Sequence, residues 1–319
     1  MALGIPTLDQ LPFLQSLCWQ GETPSIAHLT ENEILQLYER NWRYRGVVAD
    51  LSTEEKRLLK QLATKYRSWV VNEISSMQFR HPAHSQILHV LQSLNGDFLE
   101  SCKAYFGGGT MLALAYGEYR LSRDIDFLCP YGEPFSHLRR EIHSRGYDAL
   151  FNLDRDENIQ LLQDIRMNRD GIRFAVQLGE STFKIEIVAE GRIELDQPSS
   201  PDWSPVSCLS LIDQVTEKLL ANGDRWPDAS VDSRDLIDLA ILRLKTAFPS
   251  QALDKAEAAY PTVEPLKRSI CNFQAKPEYR LRCYERLQVR SPVDIINGLD
   301  QLAQQLGLPM FKRLSIECE

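Results

Sequence analysis

Apolar and polar residues alternate with period two in one window of this 319-residue chain, and helical periodicity fills the sequence on either side of it. The window opens at Tyr105-Phe106, just before Gly107-Gly108-Gly109-Thr110, and continues through DIDFLCP from Asp124. It closes with IRFAVQL and TFKIEIV on either side of Gly179-Glu180-Ser181. Alternation of this kind puts successive side chains on opposite faces of a strand, and the last two segments predict a hairpin with a short loop. Before the window, Thr30 with Glu33 three residues on predicts a capped helix over Glu31 to Arg40. Ser52 or Thr53 opens a second helix toward Ile74, with Leu58, Leu59, Leu62, Tyr66 and Val70 at helical spacing. A third covers Ser85 to Leu94, and one inside the window runs from Phe135 to Ser144. The segment QPSSPDWSP, Gln197 to Pro205, has the composition of a linker, and LSLIDQVTEKLLAN, SRDLIDLAILRLK and VDIINGLDQLAQQLG are helical again. The expectation is an α+β protein: a helical region over 1–98, a mixed-sheet core over 99–200 and a helical domain over 201–319.

Composition narrows the classes. With 43% hydrophobic and 25% charged residues, the chain reads as a soluble globular protein. It has no apolar run long enough for a bilayer and no signal-peptide start, so a cytoplasmic address and no membrane partner are expected. The net charge of −8 and pI near 5.4 argue against promiscuous nucleic-acid binding, though a local basic groove remains compatible with them. Seven scattered cysteines without a Cys-x-x-Cys pair read as free thiols. His81, His84 and His89 lack the companion ligands of a zinc site and are given no role.

Three features carry chemistry. A glycine turn between strand and helix, Gly107 to Gly109 with the Thr110 hydroxyl beside it, lets main-chain N–H groups approach phosphate at a helix N-terminus. Asp124 and Asp126, two apart on a strand, face one side while Ile125 and Phe127 face the core. Paired carboxylates repel unless a cation joins them, and Mg²⁺ takes one or two carboxylates together with substrate phosphates. Glu186, sharing a face with Lys184 on the second arm of the hairpin, offers a third carboxylate for two-metal phosphoryl chemistry. Read singly, each has a plainer meaning: an ordinary turn, a solvated strand edge and an exposed Lys-Glu face.

Their order resembles the DNA polymerase β-like nucleotidyltransferase superfamily, and more narrowly the AbiEii/AbiGii toxin family. The run Gly108, Gly109, Thr110, Leu112, Leu114 is followed by Arg120, Ser122, Asp124, Ile125, Asp126. Lys218 and then Arg234-Asp235-Leu236-Ile237-Asp238 match the second family signature, so the resemblance spans about Tyr105 to Leu244. It implies a nucleotidyltransferase fold, with Asp124, Asp126 and Glu186 holding one or two Mg²⁺ ions. It also implies that Gly108, Gly109, Thr110, Arg120, Ser122 and Lys218 bind the nucleoside triphosphate. Lys218 would contact its phosphates, and Asp235 would add a polar or acid/base role. Glu186 departs from the family pattern, where aspartate is frequent. The implied reaction moves NMP from an NTP to RNA, preferentially a tRNA 3′ end, with a separately encoded antitoxin as partner. Transfer to a protein side chain and a non-catalytic nucleotide- or antitoxin-binding module are the other readings.

Overall fold

The computed structural model describes residues 7–18, 26, 29–45, 48–66, 68, 70, 79–152, 157–162 and 164–318. The chain divides into two compact units, Met1–Gln78 and Phe79–Glu319.

In the first unit, Thr30 closes the expected capping box with Glu33 over the helix Glu31–Asn41. The next helix is Thr53–Lys65, with Ser52 Oγ accepting from the Glu55 amide; part of the expected continuation toward Ile74 lies outside the described residues. Phe13, Leu14, Ile34, Leu35, Leu59 and Leu62 form the core of this unit. Glu55 is buried within it, accepting from the amides of Phe13 and Leu14 and from the Tyr38 hydroxyl, which satisfies N-terminal donors of the helix Pro12–Leu17.

The second unit is built on one six-stranded sheet, β1 (Tyr105–Gly107), β2 (Ile125–Pro130), β3 (Ile159–Leu161), β4 (Arg166–Met167), β5 (Gly171–Leu178) and β6 (Ser181–Glu190). The order is β1-β2-β6-β5-β3, with β4 also paired to β5. The predicted hairpin is β5–β6, paired antiparallel from Leu178↔Ser181 to Gly171↔Val188. β2 lies parallel to β6, with Asp126 opposite Glu186, and antiparallel to β1, with Asp126 opposite Gly107. Ile125, Phe127, Phe183, Ile185 and Ile187 turn into the core, as alternation requires, which leaves Asp126, Leu128, Lys184, Glu186 and Val188 on the other face. The helix expected from Ser85 starts earlier, at Pro82, because proline is well suited to the first helical turn; the helix expected from Phe135 likewise spans Glu133–Arg145.

The last two of the three expected segments are one body here. Residues 197–205 lead straight back to the sheet: Cys208 bridges Ser199 and Phe106, the Phe106 amide donates to Ser207 O, and the Leu209 amide donates to Phe106 O. Val215 and Leu219 of the helix Leu211–Arg225, Leu239 of Arg234–Lys245 and Leu299 of Pro292–Gln305 share one hydrophobic cluster with Phe106, Phe127 and Ile187. Ile87 and Leu91 of Pro82–Ser93 join the same cluster, which moves the start of this unit ahead of residue 99. Among the described residues, no helix is long and apolar enough to cross a membrane.

Gly298 lets two of these helices touch: a Cβ there would fall on the Ala240 carbonyl. Gly298→Ala should cost about 2 kcal/mol in urea denaturation, overpacking outweighing the better helix propensity of alanine. Unchanged stability would mean that the two helices can separate freely.

Candidate active site

β1 runs into the glycine turn and then the helix Gly108–Ala115. Gly108 has φ +70°, and a Cβ on it would collide with the Asp126 carboxylate, so only glycine combines this backbone with this neighbour. Gly109 is needed for space alone: a Cβ there would meet the Arg120 guanidinium. Thr110 is fully buried and donates to Ser122 Oγ at 2.8 Å, so it holds the turn against the Ser122 segment from behind the residues that face the cavity.

Asp124, expected on the strand, immediately precedes β2 and is exposed, whereas Asp126 is half-buried within it. Burial, followed by the like charge of Asp124, pushes the Asp126 carboxyl up to about 6; Glu186 adds to the rise, while Lys218 and Arg234 oppose it. Glu186 is paired with Arg173 on β5, Oε1 lying 2.5 Å from Nη2. Among the described residues, no group of three or more His, Cys, Asp or Glu side chains is disposed to hold one metal ion.

Facing the sheet is a buried ionic network. Asp238, fully buried, accepts at Oδ1 from Tyr119 Oη (2.6 Å) and Arg120 Nε (2.6 Å), and at Oδ2 from Arg120 Nη2 (2.8 Å), with Lys218 Nζ 2.6 Å from Oδ2. Asp235 takes Lys218 Nζ at 3.1 Å and Arg225 through Nε and Nη2 at 2.6 and 2.9 Å. Burial alone would raise both carboxyls, but Lys218 with Arg225 outweighs it at Asp235, and Arg120 with Lys218 does so at Asp238, so both fall below the usual range. Three cations thus meet two carboxylates, leaving one surplus positive charge beside Asp126.

Sheet and network enclose a cavity of about 550 Å³. Gly108, Gly109, Arg120, Ser122, Asp124, Asp126, Glu186 and Lys218 line it, so most of the residues singled out in the sequence converge there. Asp235 sits behind this wall as a partner of Lys218 and Arg225. The sequence left four lining cations without a role: Arg225, seven residues after Lys218 and therefore on the same helix face, together with Lys184, Arg192 and Arg234. The side chains of Lys184 and Arg234 form no hydrogen bond or ion pair with the described residues. Lys218, the cation that resemblance assigned to phosphate, lines the cavity at 6% exposure and is held there by two acids. At the other end, beyond Leu128 and Val188, Arg192 gathers Glu190, Glu217 and Asp224. Burial and then Glu190 push Glu217 up to about 8.

A family model described as the nucleotidyl transferase AbiEii toxin of type IV toxin–antitoxin systems matches residues 89–280, more than half of the chain. Among solved structures, JHP933 from Helicobacter pylori is similar at 18% identity over 72% of this chain and 93% of its own, with a TM-score of 0.39. An antigenic nucleotidyltransferase-like protein from Paracoccidioides brasiliensis is similar at 11% identity over 66% of this chain and 95% of its own, with a TM-score of 0.31. No curated protein matches the chain with significance.

The two glycines around the Arg120 loop separate packing from backbone strain. Gly109→Ala displaces Arg120 from Asp238 and should cost about 3 kcal/mol in denaturant unfolding, as breaking a buried ion pair does. Gly117→Ala, with φ +82° and open space around the Cβ, should cost only about 1 kcal/mol. Equal losses would show that Arg120 yields without consequence.

Proposed function

The chain belongs to the nucleotidyl transferase AbiEii toxin family, and on that basis we propose that it moves NMP from a nucleoside triphosphate to an RNA acceptor, with a tRNA 3′ end preferred. In this reading it acts with Mg²⁺ and is neutralised by a separately encoded antitoxin. The observation that carries it is the juxtaposition in one cavity of Asp124 and Asp126, the Gly108 turn and the two unpaired cations Arg234 and Lys184.

The donors suit the metal. Asp124 and Asp126 offer hard carboxylate oxygens, and the Asp126 carboxylate has no hydrogen bond or ion pair with the described residues; burial and then the like charge of Asp124 raise its pKa, and a bound cation would relieve that repulsion. These two fit the mode in which Mg²⁺ takes one or two carboxylates and completes its shell with phosphates and water. Glu186, paired with Arg173, is the least supported of the expected ligands, so one ion is better supported than two. When bound, Mg²⁺ would neutralise charge on the reacting phosphates and lower the barrier to displacement.

The protein's own part is placement. An acceptor hydroxyl gives up its proton to solvent and forms a bond to the α-phosphorus as the bond from that phosphorus to the β-phosphate oxygen breaks, releasing pyrophosphate. Main-chain N–H groups at the start of Gly108–Ala115 can receive phosphate oxygens, and Arg234 and Lys184 supply cations at no cost in existing pairs. Lys218 and Arg225 contribute their surplus charge from fixed positions, the pre-organisation that electrostatic catalysis needs.

Incubation with each labelled NTP and total cellular RNA, resolved on a gel, tests this reading: label should enter RNA, and Asp126→Asn should abolish transfer while the protein stays folded. Retained transfer by folded Asp126→Asn contradicts the metal-site assignment. Arg234→Ala should weaken Mg²⁺–NTP binding about tenfold, the scale of one lost charge-assisted contact. An unchanged affinity removes Arg234 from the phosphate site.

A further inference from the structure

His84 belongs to the histidine group that the sequence left without a task. It is fully buried in the helix Pro82–Ser93. Its Nδ1 donates to Glu118 Oε1 at 2.7 Å, because a carboxylate can only accept. Its Nε2 lies 3.1 Å from Ser122 O and 3.4 Å from Ser122 N, so in either protonation state the ring is bonded to the main chain of Ser122. Glu118, 6% exposed, also accepts from the amides of Arg80 (2.7 Å) and His81 (3.1 Å), where the helix begins and its dipole favours negative charge. Glu118 itself has φ +54°, a left-handed conformation that a non-glycine residue keeps only when its surroundings hold it there.

The same loop is tied elsewhere. The Leu121 amide donates to Leu287 O, the Arg290 amide donates to Tyr119 O, and Arg120 is locked to Asp238. These bonds leave the main chain at Ser122, two residues before Asp124, to His84. Ser122 in turn lines the cavity and accepts from Thr110 on the glycine turn. We propose that His84, oriented by Glu118, is a positioning residue that fixes Ser122 and thereby Asp124 and the glycine turn against each other. This rests on the reading of the cavity as a Mg²⁺–nucleotide site.

Two substitutions divide the ring's two contacts. His84→Gln places an amide where Nε2 was and can still reach Ser122; His84→Asn mimics Nδ1 and reaches only Glu118. Both, with the parent, are compared in Mg²⁺–NTP affinity by calorimetry, in labelled transfer and in thermal melting. The Gln variant should stay within about threefold of the parent, and the Asn variant should lose about tenfold in affinity and in transfer, the scale of one lost hydrogen bond. Their melting points should not follow that ranking, which a purely structural histidine would impose. Equal affinities for Gln and Asn overturn the proposal. Should neither fold, Glu118→Gln decides: a threefold or greater loss of affinity supports the proposal, and parental affinity overturns it. A parent that binds Mg²⁺–NTP without transferring label counts against the proposed function alone, and a parent that binds none removes both.

Discussion

A single buried carboxylate, Asp238, joins the three pieces of chain that make the site. It fixes Arg120 from the loop before β2, Lys218 from Leu211–Arg225 and Tyr119 beside Arg120, all from within the helix Arg234–Lys245. Desolvating these charges is unfavourable, and only complete pairing offsets it, so the network tolerates few arrangements. That intolerance is useful here. Arg120 closes over Gly109, Lys218 is held toward Asp126, and Asp235 is left to hold Arg225.

The sheet supplies the opposite wall by register alone. Because β2 runs parallel to β6, Asp126 lies beside Glu186 and Leu128 beside Val188, all on the face away from the core. The cavity is therefore polarised along the strands. Carboxylates, the glycine turn and unpaired cations lie at one end, an apolar step in the middle, and Arg192 with its three acids at the other end.

Much of this was legible in the sequence, for local reasons. The hairpin, β2 and the capped helix at Thr30 follow from period and capping chemistry acting over a few residues. The short strands β3 and β4 are too brief to show a period, and the docking of residues 197–208 on β1 depends on main-chain partners that composition does not reveal. At the site, alternation set Asp126 opposite Ile125 and Phe127, and Glu186 with Lys184 opposite Ile185 and Ile187, whereas the meeting of the two carboxylates on one face depends on the pairing of β2 with β6. What the sequence could not supply was competition among charges. Lys218 and Arg120, expected at phosphate, line the cavity and are also held by Asp238, while Arg234 and Lys184, given no role in the sequence, have the only side chains left unpaired among the lining cations of the described residues. The need for glycine also divides in a way spacing cannot show, with positive φ at Gly108 and lack of space at Gly109.

The dependence of the site on Asp238 is measured most directly by a double-mutant cycle with Arg120→Met and Asp238→Leu, followed by denaturant unfolding. Each single change strands buried charge and should cost about 3 kcal/mol or more. The double variant removes both charges and should cost far less than the sum, giving a coupling of about 2 kcal/mol or more. Losses that add to within about 0.5 kcal/mol would contradict a site organised around this carboxylate.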